Sequence, residues 1–265
     1  MDKLKKKKRM QAMFLVAAVL IMWNIIQLIN PEKTVRIACV GDSITYGAWV
    51  EDREKNCYPV VLQNLLGTDG YRVGNFGVNG ATLQKSGEKS YWKQERYEQS
   101  LSYEADIVVI MLGTNDTKNA NWKNRDAFRK DYLALIESYE SLDTGPQIIL
   151  VTPPSLFQID ETGQGTKAGT DAVIAEESRV IHGIGDEKKL PVIDLYEMSG
   201  THPEWFNDDG IHPNAKGAAA IAEAVAGQVQ ESMKEDRTAA ERKMPLTRPA
   251  AGGESCLAGF FFIET

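Results

Sequence analysis

Cysteine is scarce. There are three in 265 residues, at positions 39, 57 and 256. An odd, scattered set is not a disulfide framework, and no pair has zinc-ligand spacing. Cys39 lies in an apolar strand-like run and reads as core; Cys57 opens a helical segment, the alternative being a single Cys57–Cys256 bridge. Histidine is equally sparse, at 182, 202 and 212, which leaves few candidates for a base. Positive charge is in deficit, with 30 Lys+Arg against 37 Asp+Glu and a net charge of −7. Six of those basic residues sit among the first ten, so the rest of the chain is more acidic still. An acidic body lacks the surface that phosphate binding needs, which excludes nucleic acid as the main partner. No internal repeat is visible, and no acidic cluster has a metal-binding pattern, so neither metal nor cofactor is expected. The composition, 43% hydrophobic, 25% charged and 8% aromatic, is that of a globular protein and excludes wholesale disorder or a fibre.

Long apolar runs are limited to one. Lys3, Lys5–Lys8 and Arg9 precede an apolar stretch from Ala12 to Ile29, broken by Asn24 and Gln27. Eighteen helical residues would span ~27 Å, close to the hydrocarbon core of a bilayer. A basic flank before such a helix keeps the N-terminus cytoplasmic and sends the remainder across. No convincing small-x-small cleavage site precedes Pro31, which favours an uncleaved signal anchor over a cleaved signal peptide. Residues 1–31 are therefore expected to be an address, with a membrane helix as partner to the bilayer, and residues 32 onward to be extracytoplasmic.

From Thr34 the chain alternates. Apolar, β-branched runs at Thr34–Val40, Tyr71–Phe76, Asp106–Leu112, Gln147–Thr152 and Pro191–Leu195 predict five strands. Helical periodicity predicts helices at Tyr58–Leu66, Trp92–Tyr103, Asp126–Leu142, Asp171–Ile184 and Asn214–Met233. Strand–helix alternation over some 200 residues implies an α/β fold with a parallel sheet and helices on both faces. Right-handed crossovers make it a three-layer α/β/α sandwich. The domain is placed at 32–236, and residues 237–265, with Pro, Gly and an isolated GFFFI, as a tail outside it.

Ligands in such sheets bind beyond the carboxyl ends of the strands. Strand one runs into Gly41-Asp42-Ser43-Ile44-Thr45, strand two into Asn75-Phe76-Gly77-Val78-Asn79-Gly80, and strand three into Gly113-Thr114-Asn115-Asp116; Asp209-Gly210-Ile211-His212 follows strand five. Each loop offers a different component of an acyl-transfer site. Ser43, at the start of a helix after a tight turn, has an exposed Oγ and an N–H without an intrahelical acceptor. His212 is the base to activate it. Asp209, three residues earlier, can reach Nδ1 of His212 and fix its tautomer. The Ser43 N–H, the Gly80 N–H and the Asn115 amide can meet an oxyanion. Singly, each has a plain reading: Ser43 as a helix cap, Gly80 as a turn glycine, Asn115 and Asp116 as loop residues, Asp209 and His212 as a surface turn. Together, and in this order at the loop ends, they point to chemistry.

The set resembles the SGNH (GDSL-type) hydrolase superfamily, through GDSIT at 41–45, N-x-G-x-x-G at 75–80, GTND at 113–116 and D-x-x-H at 209–212. The resemblance covers about residues 34–233. It implies a flavodoxin-like five-stranded sheet of order 2-1-3-4-5, Ser43 as nucleophile, Gly80 and Asn115 as oxyanion donors, and Asp209 and His212 as the rest of a triad. More narrowly, GDSITYGAWVEDREKNCYP, NFGVNGATL, YWKQERY, VVIMLGTNDTKNANW and DGIHPNAKGA look like bacterial proteins labelled sialate O-acetylesterase or acetylxylan-esterase-like. That subgroup implies removal of O-acetyl groups from sugars, with Trp92 and Trp122 as candidates for stacking on a sugar ring, or else as ordinary packing. Rival expectations are a membrane-anchored cell-wall glycan O-acyltransferase, a lysophospholipase or thioesterase, and a non-catalytic glycan-binding protein.

Overall fold

The computed structural model describes residues 34–243 except Gly163, together with Lys6, Met10, 13–17 and 21–22. β1 (Val35–Gly41) pairs in parallel with β2 (Tyr71–Gly77) on one side and β3 (Ile107–Met111) on the other. β3 continues to β4 (Gln147–Val151), and β4 ends the sheet against the two-residue β7 (Val192–Ile193). The order β2-β1-β3-β4-β7 is the expected 2-1-3-4-5, with β7 as the fifth strand of the sheet.

Side-chain alternation along the strands explains the layers. Ala38, Val40, Val108, Ile110, Ile148 and Leu150 belong to one buried cluster with Phe128, Tyr132 and Tyr139 of α5 (Arg125–Glu140) and Val180, Ile181 and Ile184 of α6 (Asp171–Lys188). The alternate residues Ile37, Cys39, Val109, Met111 and Ile149 are buried as well, so the opposite face is also covered. α3 (Tyr58–Leu66), which buries Tyr58 and Leu62, and α4 (Glu95–Leu101) flank β2. Cys39 and Cys57 are both free, buried thiols.

Three departures from the sequence expectation stand out. The helix expected from Trp92 opens instead as a 3-10 turn at Tyr91–Lys93, before α4. Short elements appear where none was expected: α2 (Arg53–Asn56), α7 (Leu195–Ser199) and the antiparallel hairpin β5 (Phe157–Ile159) with β6 (Gly165–Lys167), whereas α1 (Ser43–Tyr46) is the helix expected to start at Ser43. The last helix, α8 (Ala215–Lys243), runs past Met233, because its sequence is rich in helix formers and meets no proline before Pro245. The sheet and the site lie within residues 1–229; residues 230–265 form a separate unit, whose described part is the end of α8. The rest of the expected tail lies outside the described residues. So does most of the expected membrane helix: of that stretch 13–17 and 21–22 are described, helical and exposed. Among the described residues, no helix is long and apolar enough to cross a membrane.

Candidate active site

The chain order of the sheet reverses at β1, which has β2 on one side and β3 on the other. The crevice beyond the carboxyl ends of β1 and β3 is where such sheets bind ligands. Four loops build it.

β1 ends at Gly41, where a Cβ would lie 2.0 Å from Thr45 Oγ1 and 2.6 Å from the Met111 carbonyl. Only glycine lets the chain turn so sharply into α1. Asp42 caps that helix, its Oδ1 accepting from the Ile44 N–H at 2.9 Å, and Gly47 closes it with φ +86. Ser43 is thereby the first helical residue. A helix's first N–H groups have no intrahelical acceptor, so the Ser43 amide is available beside its own hydroxyl.

The second loop docks on the first. Asn75 Nδ2 donates to the Thr45 carbonyl at 2.9 Å, and a Cβ on Gly77 would meet the Tyr46 nitrogen at 2.1 Å. The chain then turns through Val78–Ala81, closed by Ala81 N–H to the Val78 carbonyl at 3.1 Å, with Gly80 at φ +75. A turn closed this way uses the fourth residue's N–H and leaves that of the third, Gly80, uncommitted. The third loop is a 3-10 turn, Thr114–Thr117. Asn115 Nδ2 donates to the Ala81 carbonyl at 3.1 Å and lies 3.5 Å from Asp42 Oδ2. The latter is at the limit of a hydrogen bond, so one amide hydrogen remains for a ligand. Asn121 holds the Asn115 carbonyl at 2.8 Å. Asp116 points away from the crevice and accepts the Leu83 and Gln84 N–H groups at 2.7 and 2.8 Å, stapling the second loop to the third.

The fourth loop brings the base. His212 Nε2 lies 3.0 Å from Ser43 Oγ, and His212 Nδ1 lies 2.5 Å from Asp209 Oδ2. Asp209 Oδ1 accepts the Ile211 and His212 N–H groups, each at 2.9 Å. The carboxylate is thus fixed from two sides, and the imidazole presents Nε2 to the serine. Burial alone would raise the Asp209 carboxyl; the bonds from the His212 ring and the two N–H groups outweigh it and hold it below the usual carboxylate range. Gly210 has φ +64, and a Cβ there would fall 2.1 Å from the Phe157 carbonyl. Phe157 N–H donates to the Gly210 carbonyl at 2.9 Å. The β5–β6 hairpin, unforeseen in the sequence, therefore braces the loop that carries the base.

Beneath the crevice lie three buried carboxyls. Burial pushes Asp42 up to about 6, against bonds from the Ile44 N–H and the Thr114 hydroxyl that pull it down. Burial likewise pushes Asp116 up to about 7 despite its two backbone bonds. Glu177, on α6, is fully buried; neither of its oxygens has a hydrogen-bond partner among the described residues, and burial, then the nearness of Asp116 and Asp42, holds its carboxyl well above the usual range. Gly113 is what admits it: a Cβ there would lie 2.5 Å from Glu177 Oε2.

All the sequence-derived candidates at the four loops are thus placed, and Ser43, His212 and Asp209 are in direct contact. The two tryptophans are not among them. Trp92 packs on the core, its Nε1 donating to the Leu83 carbonyl at 3.0 Å with the Lys85 ammonium over its ring; Trp122 packs on Phe128 at 5.7 Å. Both serve as packing, since each indole covers the half-buried edge of the cluster. Sequence reasoning missed Trp49, whose ring lies 5.9 Å from that of His212 with planes 15° apart. It also missed Asn207, whose amide donates to the carbonyls of Trp49 and His212 at 3.2 and 3.1 Å. Trp49 lies within the run 41–59 quoted above but outside its GDSIT core, and Asn207 lies in none of the quoted runs, so no spacing marks either as part of the site; an aromatic two residues past a helix-closing glycine was the one available signal.

Comparison with known proteins agrees with this geometry. Residues 39–220 match the GDSL-like Lipase/Acylhydrolase family. An acetylxylan esterase of Xylanibacter ruminicola is 35% identical over 216 residues, covering 75% of this chain and 44% of that protein. A multidomain esterase of Ruminococcus flavefaciens is 23% identical over 222 residues, covering 72% and 28%. The chain thus spans less than half the length of these relatives. Among solved structures, a carbohydrate acetylesterase family member from Sinorhizobium meliloti aligns with a TM-score of 0.61 at 24% identity, over 75% of this chain and 98% of that one. The lipase/acylhydrolase from Enterococcus faecalis aligns at 0.60 and 24% identity, over 75% and 97%. At that identity the structures speak for the shared fold. The match over residues 39–220 settles the kinship: the chain is a member of the GDSL-like lipase/acylhydrolase family.

Proposed function

We propose that this protein is a serine esterase that removes O-acetyl groups from carbohydrates. The observation that carries the reading is the continuous contact from Asp209 through His212 to Ser43. In this reading His212 Nε2 takes the Ser43 proton as Oγ attacks the ester carbonyl carbon. The resulting oxyanion meets the Ser43 N–H, the Gly80 N–H and the Asn115 amide. The C–O bond to the sugar breaks, and His212 gives its proton to the leaving sugar oxygen. Water then yields a proton to His212 and its oxygen to the acetyl carbon. Acetate leaves as Ser43 Oγ recovers the proton. Asp209 stays ionised throughout and stabilises the imidazolium formed in each half.

Kinship with an acetylxylan esterase favours a polysaccharide over a sialate ester. The test is acetate release by the full chain from acetylated xylan, pectin, peptidoglycan and O-acetyl sialic acid. Release from an acetylated polysaccharide, lost in Ser43→Ala, is expected. Turnover that instead climbs with acyl length would mean a lysophospholipase or thioesterase; transfer of acetyl to a glycan acceptor in place of release would mean an acyltransferase. The basic-then-apolar N-terminal stretch supports an extracytoplasmic, membrane-anchored location, which cell fractionation tests directly.

A further inference from the structure

Trp49 sits at the rim of the site in a manner that packing does not explain. Its side chain belongs to a residue 74% exposed, and its backbone is at φ +66, a left-handed conformation that bulky residues rarely adopt. Such strain persists only where neighbours enforce it, and it clusters at functional sites. Here the neighbour is Asn207, whose one amide bonds the carbonyls of both Trp49 and His212. The backbone that carries the indole is therefore tied to the backbone that carries His212, and the indole lies near-parallel to the imidazole at 5.9 Å, yet open to solvent. Ile211, 36% exposed, stands next to His212 in the same rim.

The position matters because the two halves of an ester occupy different sides of the triad. The acyl half lies between Ser43 Oγ and the oxyanion donors. The alcohol half takes its proton from His212 Nε2, so it leaves on the side of the imidazole. Trp49 adjoins that side and is remote in role from the acyl group. A pyranose ring presents one face of C–H groups, which packs on the electron-rich face of an indole.

Resting on the esterase reading above, we infer that Trp49 is the platform on which the pyranose ring of the leaving sugar packs. The experiment compares the full chain with Trp49→Ala, Trp49→Gly and Trp49→Phe on three esters: an acetylated xylo-oligosaccharide, O-acetyl sialic acid, and ethyl acetate, whose alcohol has no ring. Trp49→Ala is expected to raise KM for the xylo-oligosaccharide about tenfold with kcat within twofold, and to cost ethyl acetate hydrolysis a much smaller factor. Trp49→Phe should restore most of the loss. Trp49→Gly, which suits the left-handed backbone, should repeat the alanine result with no loss of fold. An unchanged KM on the oligosaccharide overturns the platform. So does an equal loss on ethyl acetate with a shifted pH profile, which assigns Trp49 to holding the imidazole. Wild-type turnover of ethyl acetate without release from any acetylated sugar defeats the carbohydrate part of that reading, and turnover of none of the three esters defeats the esterase reading itself; both results are distinct from a failure of the platform alone.

Discussion

Two histidine–aspartate pairs occupy the loops and helices around this sheet, and the one at His212 also reaches a serine hydroxyl. His212 meets Asp209 at 2.5 Å, and His182, on α6, meets Asp194 at 2.7 Å. Both aspartates also satisfy backbone N–H groups, Asp209 within its own turn and Asp194 as the cap of α7. The difference lies in which nitrogen faces the acid. His212 offers Nδ1 and keeps Nε2 outward for Ser43; His182 spends Nε2 on Asp194 and retains the nitrogen nearest its own backbone. The first pair sits beside the crevice where the strand order reverses, the second after β7 at the far edge of the sheet. An imidazole and a carboxylate in contact are therefore no evidence of catalysis until a third group and an outward-facing nitrogen are found with them.

Mutations can break this contrast at several strengths. Ser43→Ala or His212→Ala should lower kcat for an acetyl ester about 10⁶-fold, while His182→Ala leaves kcat within twofold and costs less than about 1 kcal/mol in urea unfolding, as a half-exposed pair should. Loss of activity in His182→Ala would erase the distinction. Asn115→Ala should lower kcat roughly 10²–10³-fold with KM little changed; an unchanged kcat removes it from the oxyanion donors. The smallest effect separates the two sides of α6, which carries exposed His182 and buried Glu177. A carboxyl whose folded pKa is raised binds more protons in the folded state than in the unfolded one. The wild type should therefore lose stability as pH rises from about 4, where unfolded Asp42, Asp116 and Glu177 ionise, through about 6 and 7, where Asp42 and Asp116 ionise in the fold, and beyond for Glu177. Glu177→Gln should remove its share of that slope, about 1.4 kcal/mol per pH unit, with its gap from the wild type near zero at pH 4 and widening upward. Parallel pH–stability curves for the two proteins would refute this role for burial.

What was legible in the sequence followed from local rules. The five strands of the main sheet are short apolar runs, and their order matches the expectation. Ser43, Gly80, Asn115, Asp209 and His212 were visible because each lies in a patterned block at a strand end. The β5–β6 hairpin was not: strands of three residues with a glycine-bearing connection leave no periodicity to read. Trp92 and Trp122 drew attention by residue type, whereas Trp49 acts through a turn geometry and a bond from Asn207, 158 positions away, that only the assembled chain shows. Nothing in the helical pattern of α6 sets Glu177 apart, because its burial depends on the absent side chain of Gly113.

The serine and its base stand 169 positions apart in the chain. During synthesis the hydroxyl therefore emerges long before residue 212 has been made. On the esterase reading, a nascent or C-terminally shortened chain that ends before the fourth loop carries Ser43 without its proposed base, so reactivity would switch on only once that last segment has docked.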